Sequence, residues 1–248
     1  MAKLSLIGIA SGNPDHLTGQ ARRAIQDAEL ILVPSKGPQK SDLADLRLQI
    51  VDALRPGEDV VALFNMPKRR DGIPYLEAVD LWHDEIANIW AGKIADHEGV
   101  NHVALLVWGD PSLYDSTLRI ASRISPAPEI EVVPGLTSLQ LLTAVHAIPL
   151  NDLGKPVMIT TGRQLTENGW PEDTDCVAVM LDGDRAFRNF ADQDVEIWWG
   201  AYLGMPNEIL KSGVLKNVSA EINETRTRAR EQHGWIMDIY LMRRMNDA

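Results

Sequence analysis

The sequence predicts an α/β protein made of two α/β domains with a ligand cleft between them. Short apolar runs alternate with longer amphipathic segments, which is the pattern of βαβ units and mainly parallel sheets. The chain has 248 residues, 45% of them hydrophobic, which is enough for two cores. A predicted strand ends at Pro134, and a predicted helix then leads into the second half of the chain. We therefore place the domains at 1–134 and 135–248, although no Ser/Gly-rich linker marks the boundary.

In the first domain, five apolar runs predict strands and three amphipathic segments predict helices. Ala21, Ala24 and Ile25 fall on one face of the first helical segment, and Thr18 is a candidate N-cap. The predicted strands are 4–9, 30–33, 60–64, 103–108 and 130–133, and the predicted helices are 18–28, 43–54 and 76–90.

The second domain begins with an apolar helical segment, 139–146, and continues with further strand candidates. Those candidates are 157–160, 177–181, 196–202 and 235–242. Cys176 is the single cysteine and lies in the run CVAVML, so we predict a buried structural thiol rather than a disulfide.

Charge and hydropathy limit the partners. Lys plus Arg total 24 against 35 Asp plus Glu, a net charge of -11, so we expect neither a nucleic acid nor an anionic membrane as partner. No segment reaches the roughly 18 apolar residues of a membrane span, so we expect a soluble, cytoplasmic protein.

Several catalytic motifs are missing from the sequence. It contains no G-x-x-x-x-G-K-[ST] phosphate loop, no G-x-G-x-x-G dinucleotide fingerprint and no G-x-S-x-G elbow. No histidine spacing suggests a metal site, so we predict none. Phosphoryl transfer, zinc hydrolysis and serine hydrolysis therefore lack their usual support.

Three loops remain, and each follows a predicted strand of the first domain. They are GIASGNPDHLT (8–18), GDPSLY (109–114) and PGLTS (134–138). Ligands of open α/β sheets bind outside the carboxyl ends of the strands, where glycines let the backbone approach a ligand. For any single loop, Gly and Pro could equally serve only as turn residues. An acceptor such as Asp110 could hold ribose hydroxyls or an ammonium group, or could cap its own turn.

In order and spacing, these loops resemble the G-x-G-P-G-x-x-x-x-L-T, G-D-P-x-x-Y and P-G-[IL]-[ST]-[SA] signatures of the tetrapyrrole methylases, the class III S-adenosylmethionine-dependent methyltransferases. Ala10 and Ser11 replace the second glycine and the proline of the first signature. The second half fits more loosely, through CVAVML and WWGAYL. The resemblance implies a tetrapyrrole methylase-like fold with a cofactor cleft between the domains. It also implies S-adenosyl-L-methionine as cofactor and S-adenosyl-L-homocysteine as product.

The resemblance also implies roles for individual residues. The expected cofactor-binding residues are Gly109, Asp110, Leu113, Thr137, Ser138, Leu181 and Ala201. Thr137 and Ser138 could in addition cap the helix that follows them. Tyr114 is expected to face the substrate or to pack. The basic run Lys68, Arg69 and Arg70 is predicted to bind carboxylates of a small-molecule tetrapyrrole substrate, with a solvated loop as the alternative.

Within the family, GIASGNPDHLT, FNMPKRRDG, GAYLGMPNEIL and HGWIMDIYLMRR most resemble the members that convert precorrin-5 to precorrin-6A in aerobic cobalamin biosynthesis, methylating C-1 and releasing acetate. The alternatives are methylation at another precorrin position, methylation of a modified histidine as in diphthine synthases, and an inactive S-adenosylmethionine-binding module. No residue pair identifies a catalyst of deacetylation; Asp15, His16 and His83 are conceivable. The family implies a homodimer, and Trp198 and Trp199 are expected to supply interface area.

Overall fold

The computed structural model describes residues 2–35 and 42–245. The chain forms two compact units, Met1–Thr137 and Ser138–Ala248. Each unit contains one five-stranded sheet with helices packed against it. The α/β prediction is therefore confirmed for both halves of the chain.

The sheet of the first unit is entirely parallel, with the strand order β3-β2-β4-β1-β5. Every connection between consecutive strands contains a helix, which is what a parallel crossover requires. The strands are β1 (Lys3–Gly8), β2 (Leu30–Ser35), β3 (Val61–Asn65), β4 (His102–Val107) and β5 (Glu129–Val133). All five match predicted strands.

Helices cover both faces of this sheet. One face packs against α1 (Gly19–Asp27) and α2 (Asp42–Leu54), and the other against α3 (Tyr75–Ala95) and α4 (Thr117–Ala121). Because neighbouring residues of a strand point to opposite faces and both faces are covered, β1 and β4 are buried at every position but the first. The predicted N-cap is confirmed, since the side chain of Thr18 accepts a hydrogen bond from Ala21 N at 3.0 Å.

The sheet of the second unit has the order β6-β7-β10-β8-β9, and only β6 and β7 are parallel. The prediction of mainly parallel sheets is wrong for this unit. Residues 202–208, which join β8 to β9, are too few for a crossover helix, so β9 returns antiparallel. The strands are β6 (Met158–Thr161), β7 (Cys176–Met180), β8 (Val195–Ala201), β9 (Ile209–Val214) and β10 (Asp238–Arg244).

The helices of this unit are α5 (Ser138–His146), α6 (Gly162–Asn168) and α7 (Leu215–His233). Strand β9 was not predicted because it contains Lys211, Ser212 and Gly213, which weaken its apolar pattern. Trp198 and Trp199 are buried in the monomer, so the expectation that they supply interface area is wrong. Cys176 is buried as predicted, and burial raises the pKa of its thiol.

Within residues 2–35 and 42–245, no helix is long and apolar enough to cross a membrane. In the same part of the chain, no group of three His, Cys, Asp or Glu side chains could hold a metal ion.

Candidate functional site

The three predicted loops meet at the carboxyl edge of the first sheet. They follow β1, β4 and β5, which are neighbours in the sheet. The first two loops are joined by an isolated antiparallel bridge between Ala10 and Gly109. Gly109 N donates to Ala10 O at 2.8 Å, and Ala10 N donates to Gly109 O at 3.3 Å. The structure thus brings together the loops that the sequence singled out.

Glycine is required where these loops touch. A Cβ atom on Gly8 would lie 2.6 Å from Gly135 N and 2.7 Å from Gly109 O, distances that real Cβ atoms do not reach. A Cβ atom on Gly135 would collide with the same carbonyl and with the backbone of Gly8. Gly109 also has a φ of 64°, which favours glycine. The three loops are therefore held backbone against backbone.

Asp110 links the second loop to the third. Its Oδ1 accepts hydrogen bonds from the backbone N and the Oγ of Ser112, and its Oδ2 accepts from Gly135 N at 2.9 Å. Partial burial alone would raise the pKa of Asp110, but these hydrogen bonds favour the carboxylate and hold the pKa below its usual value. Asp110 therefore has the turn-forming role that was the alternative to ligand binding, and three donors leave about one acceptor site open.

The departure from the family signature at Ala10 lies at a strained position. Ala10 is buried and has a φ of 51°, in the left-handed region where glycine is favoured. The loop nevertheless keeps its bridge to Gly109. Ser11, the other departure, contacts the side chain of His16 through a 3.5 Å bond between its Oγ and Nδ1.

The remaining predicted residues of the first unit lie around these loops. Leu113 N donates to Asp110 O at 3.2 Å, which closes the turn. Tyr114 has a φ of 49° and is 42% exposed, and partial burial raises the pKa of its hydroxyl. Thr137 is half-buried at the end of the first unit, and Ser138 begins α5 in the second.

Leu181 and Ala201 lie at one edge of the second sheet. Leu181 directly follows β7, and Ala201 is the last residue of β8; both strands flank β10. Ala201 pairs with Asp238 at the start of β10. Leu181 has a φ of 53° and is 66% exposed, which is unusual for leucine. Ala201 is fully buried.

A buried polar network that the sequence did not predict holds this edge. Arg226 Nε donates to Asp238 Oδ2 at 2.8 Å, and its Nη2 donates to the carbonyl of Asp182 at 2.7 Å. The Tyr240 hydroxyl donates a hydrogen bond to Asp182 Oδ2 at 2.7 Å, and Trp199 Nε1 donates one to Asp238 Oδ2 at 3.0 Å. Burial raises the pKa of Asp238, and the bond to Arg226 opposes that shift. No sequence motif marks these residues.

The basic run lies in the loop after β3, which is an edge strand of the first sheet. Lys68, Arg69 and Arg70 are all exposed, and the Arg69 guanidinium lies 5.0 Å from the centre of the Tyr75 ring. Trp82 Nε1 donates to Pro67 O at 2.8 Å, so the start of this loop is fixed to α3.

The conceivable deacetylation residues do not form a cluster. Asp15 is exposed in a short 3-10 helix of the first loop, together with His16. His83 is buried on α3, and its Nε2 has no partner among the described residues. Burial lowers the pKa of His83, and Arg123 and Arg119 lower it further. No catalytic pair emerges from these positions.

Ligands of open α/β sheets bind outside the carboxyl ends of the strands, and the three glycine-containing loops of the first unit lie at such an edge. The family of tetrapyrrole (corrin/porphyrin) methylases matches residues 3–219. The chain therefore belongs to that family, and the assignment suggested by the three loops is confirmed.

Two individual relatives are similar to this chain over its whole length or nearly so. A precorrin-6A synthase (deacetylating) from Sinorhizobium sp is 46% identical over 100% of this chain and 97% of its own length. The crystal structure of a cobalamin synthesis related protein (CobF) from Corynebacterium diphtheriae has a TM-score of 0.85 and 38% identity, covering 99% of this chain and 100% of that one.

A more distant structure shows the fold alone. It is a uroporphyrin-III C-methyltransferase from Thermus thermophilus complexed with S-adenosyl homocysteine. Its TM-score is 0.59 at 19% identity, covering 97% of this chain and 92% of that one.

Proposed function

We propose that this chain is an S-adenosylmethionine-dependent C-methyltransferase of aerobic cobalamin biosynthesis. It methylates precorrin-5 at C-1 with loss of acetate and so produces precorrin-6A. The observation that carries this proposal is the 46% identity to the Sinorhizobium enzyme over the whole chain. The activity predicted from the sequence segments agrees with that similarity, which extends through both units.

The glycine-lined edge of the first sheet fits a nucleoside methyl donor. Gly8 and Gly135 hold the loops together, the space beside the Gly109 α-carbon is open except for Thr137 Cα at 3.9 Å, and Asp110 retains an acceptor site for a hydroxyl or ammonium group. We assign cofactor contacts to Gly109, Asp110, Leu113, Thr137, Ser138 and Leu181. Ala201 is buried, so we expect its effect to come through the end of strand β8.

When bound, S-adenosyl-L-methionine supplies a methyl group on a sulfonium, which leaves as a thioether after in-line attack by a substrate carbon. The residues named above need only bind, align and shield the reactants from water, since no strong base is obligatory for that step. This requirement suits a rigid edge held by backbone contacts.

Substrate recognition requires cations, because precorrins carry many carboxylates. We assign this role to Lys68, Arg69 and Arg70, whose exposed side chains stand out in a chain of net charge -11. Tyr114, the partly exposed last residue of the second loop, is assigned to the substrate as well.

We further propose a cytoplasmic homodimer. Ile130 and Val132 are exposed on β5, an edge strand of the first sheet, and could supply interface area in place of the two buried tryptophans.

The decisive experiment is mass analysis of the product formed from precorrin-5 and methyl-labelled cofactor, with calorimetry of cofactor binding beside it. We expect one labelled methyl group gained, one acetyl group lost and acetate released. A methylated product that keeps its acetyl group would indicate another reaction of the family. Failure to bind S-adenosylmethionine at millimolar concentration would contradict any methyltransferase activity.

Replacing Lys68, Arg69 and Arg70 together by alanine tests the basic run. We expect a higher KM for the precorrin and an unchanged cofactor Kd, whereas R23A on the exposed face of α1 should change neither. Unchanged precorrin kinetics in the triple variant would remove these residues from the site.

A further inference from the structure

Arg47, on α2, is a nearly buried cation at the carboxyl edge of the first sheet. It is 8% exposed, and the Arg47 guanidinium lies 4.8 Å from the centre of the Trp108 ring, directly after β4. Its Nε donates to Leu106 O at 2.9 Å and its Nη1 donates to Leu43 O at 3.0 Å. Two hydrogen bonds and one stacking contact therefore fix the orientation of the guanidinium.

Arg47 forms no direct ion pair in the part of the chain that the structure describes. None of the ion pairs there includes Arg47. Asp115 is near enough to act on it electrostatically, but its Oδ1 already accepts from Thr117 N. Burial lowers the pKa of Arg47 to about 10, so the side chain stays a cation at neutral pH.

One donor group of Arg47 remains available. Nη2 makes no hydrogen bond to any described residue, yet it is not among the fully enclosed polar atoms without a partner. Burying an unpaired cation is costly, and an apolar side chain could stack on Trp108 without that cost. The free Nη2 of this oriented guanidinium can donate one charge-assisted hydrogen bond to a carboxylate.

The strand order divides the carboxyl edge into two parts. Gly8, Gly109 and Gly135 belong to the strands on the β4-β1-β5 side. Arg47 belongs to the helix that follows β2, and the basic run follows β3, so both lie on the β3-β2-β4 side. Both sets of cations thus come from connections on the β3-β2-β4 side, next to the part of the edge that we assign to the cofactor.

We propose that Arg47 binds a carboxylate of the tetrapyrrole substrate through its free Nη2, as a specificity residue distinct from the exposed basic run. This inference rests on the proposed function, since it takes the polycarboxylate substrate from there. Trp108 sets the plane of the guanidinium, and the two backbone carbonyls set its direction.

The alternative role is structural. A Cβ atom on Gly12 would lie 2.7 Å from the Trp108 ring, so the first loop rests on the same indole that Arg47 stacks against. If Arg47 only supported this loop, its loss would weaken the binding of all ligands of the loop alike. A direct contact would affect only ligands that carry carboxylates.

The test compares ligand binding by R47M and by the wild-type protein. The first ligand, the acid, is uroporphyrin, a stable tetrapyrrole with eight carboxylates. The second ligand, the amide, is the same macrocycle with its carboxylates converted to neutral hydroxyethyl amides. We expect R47M to bind the acid about tenfold to a hundredfold more weakly, the loss of one charge-assisted hydrogen bond. It should bind the amide as the wild type does, with an unchanged Kd for S-adenosylmethionine. R23M, on the exposed face of α1, is the matched control and should bind every ligand normally.

Equal binding of the acid by R47M and the wild type would overturn the proposal, as would an equal loss for acid, amide and cofactor. If R47M does not fold, R47Q serves instead, because it keeps a polar side chain but loses the charge, and the same two comparisons decide. A wild-type protein that methylates no precorrin would count against the proposed function. A wild type that methylates precorrin-5 beside an R47M variant with unaltered KM would count against this inference alone.

Discussion

In each of the two sheets, one edge is held together, and the two edges are held by opposite means. At the first, Gly8, Gly109 and Gly135 bring three backbones into contact. At the second, Arg226 and Asp238 form a buried ion pair in a network of long polar side chains. The backbone arrangement depends on the absence of side chains, and the network depends on every member being present. Substitutions should therefore damage the two edges in different ways.

The largest effect is expected from D238N. It leaves the Arg226 guanidinium buried without a carboxylate, which should lower the free energy of unfolding by about 3–5 kcal/mol. Urea unfolding measures this loss. The control is E221Q, which breaks the exposed pair of Lys211 and Glu221 and should cost less than about 1 kcal/mol. Equal effects of the two variants would mean that the network does not stabilise the second edge.

A smaller loss is expected from G135A. The added methyl group meets the Gly109 carbonyl and the backbone of Gly8, so the loops must separate, at a cost of about 1–3 kcal/mol. Calorimetry should also show weaker cofactor binding. The control is G92A on α3, where a Cβ meets no atom and the change should be neutral or slightly stabilising. Cofactor affinity equal to wild type in G135A would show that the backbone contact does not shape the cofactor site.

The smallest effect, and one of opposite sign, is expected from A10G. Glycine relieves the left-handed strain at φ 51° but adds freedom to the unfolded chain, so we expect a gain of about 0.5–1 kcal/mol. A21G, at a buried helical position in the first turn of α1, should instead destabilise the protein. A loss of stability in A10G comparable to that of A21G would mean that position 10 carries no strain. Thermal unfolding of the three proteins makes this comparison.

The same contrast explains what the sequence could predict. Glycine after a buried strand is a local signal, so the loops at Gly8, Gly109 and Gly135, and all five strands of the first sheet, were predictable. Arg226 and Asp238 come together only through the antiparallel arrangement around β10, which no local pattern encodes. Arg47 likewise looks like an ordinary residue of an amphipathic helix, and only the fold places it under Trp108.

Leu181 combines two unfavourable properties in one residue, an exposed apolar side chain and a left-handed backbone. Such positions are where stability and activity compete. A library randomised at 181 and selected only for heat resistance should return glycine or asparagine, whereas selection for methyl transfer should return leucine. Any replacement chosen at this residue for stability should therefore be measured for methyl transfer as well.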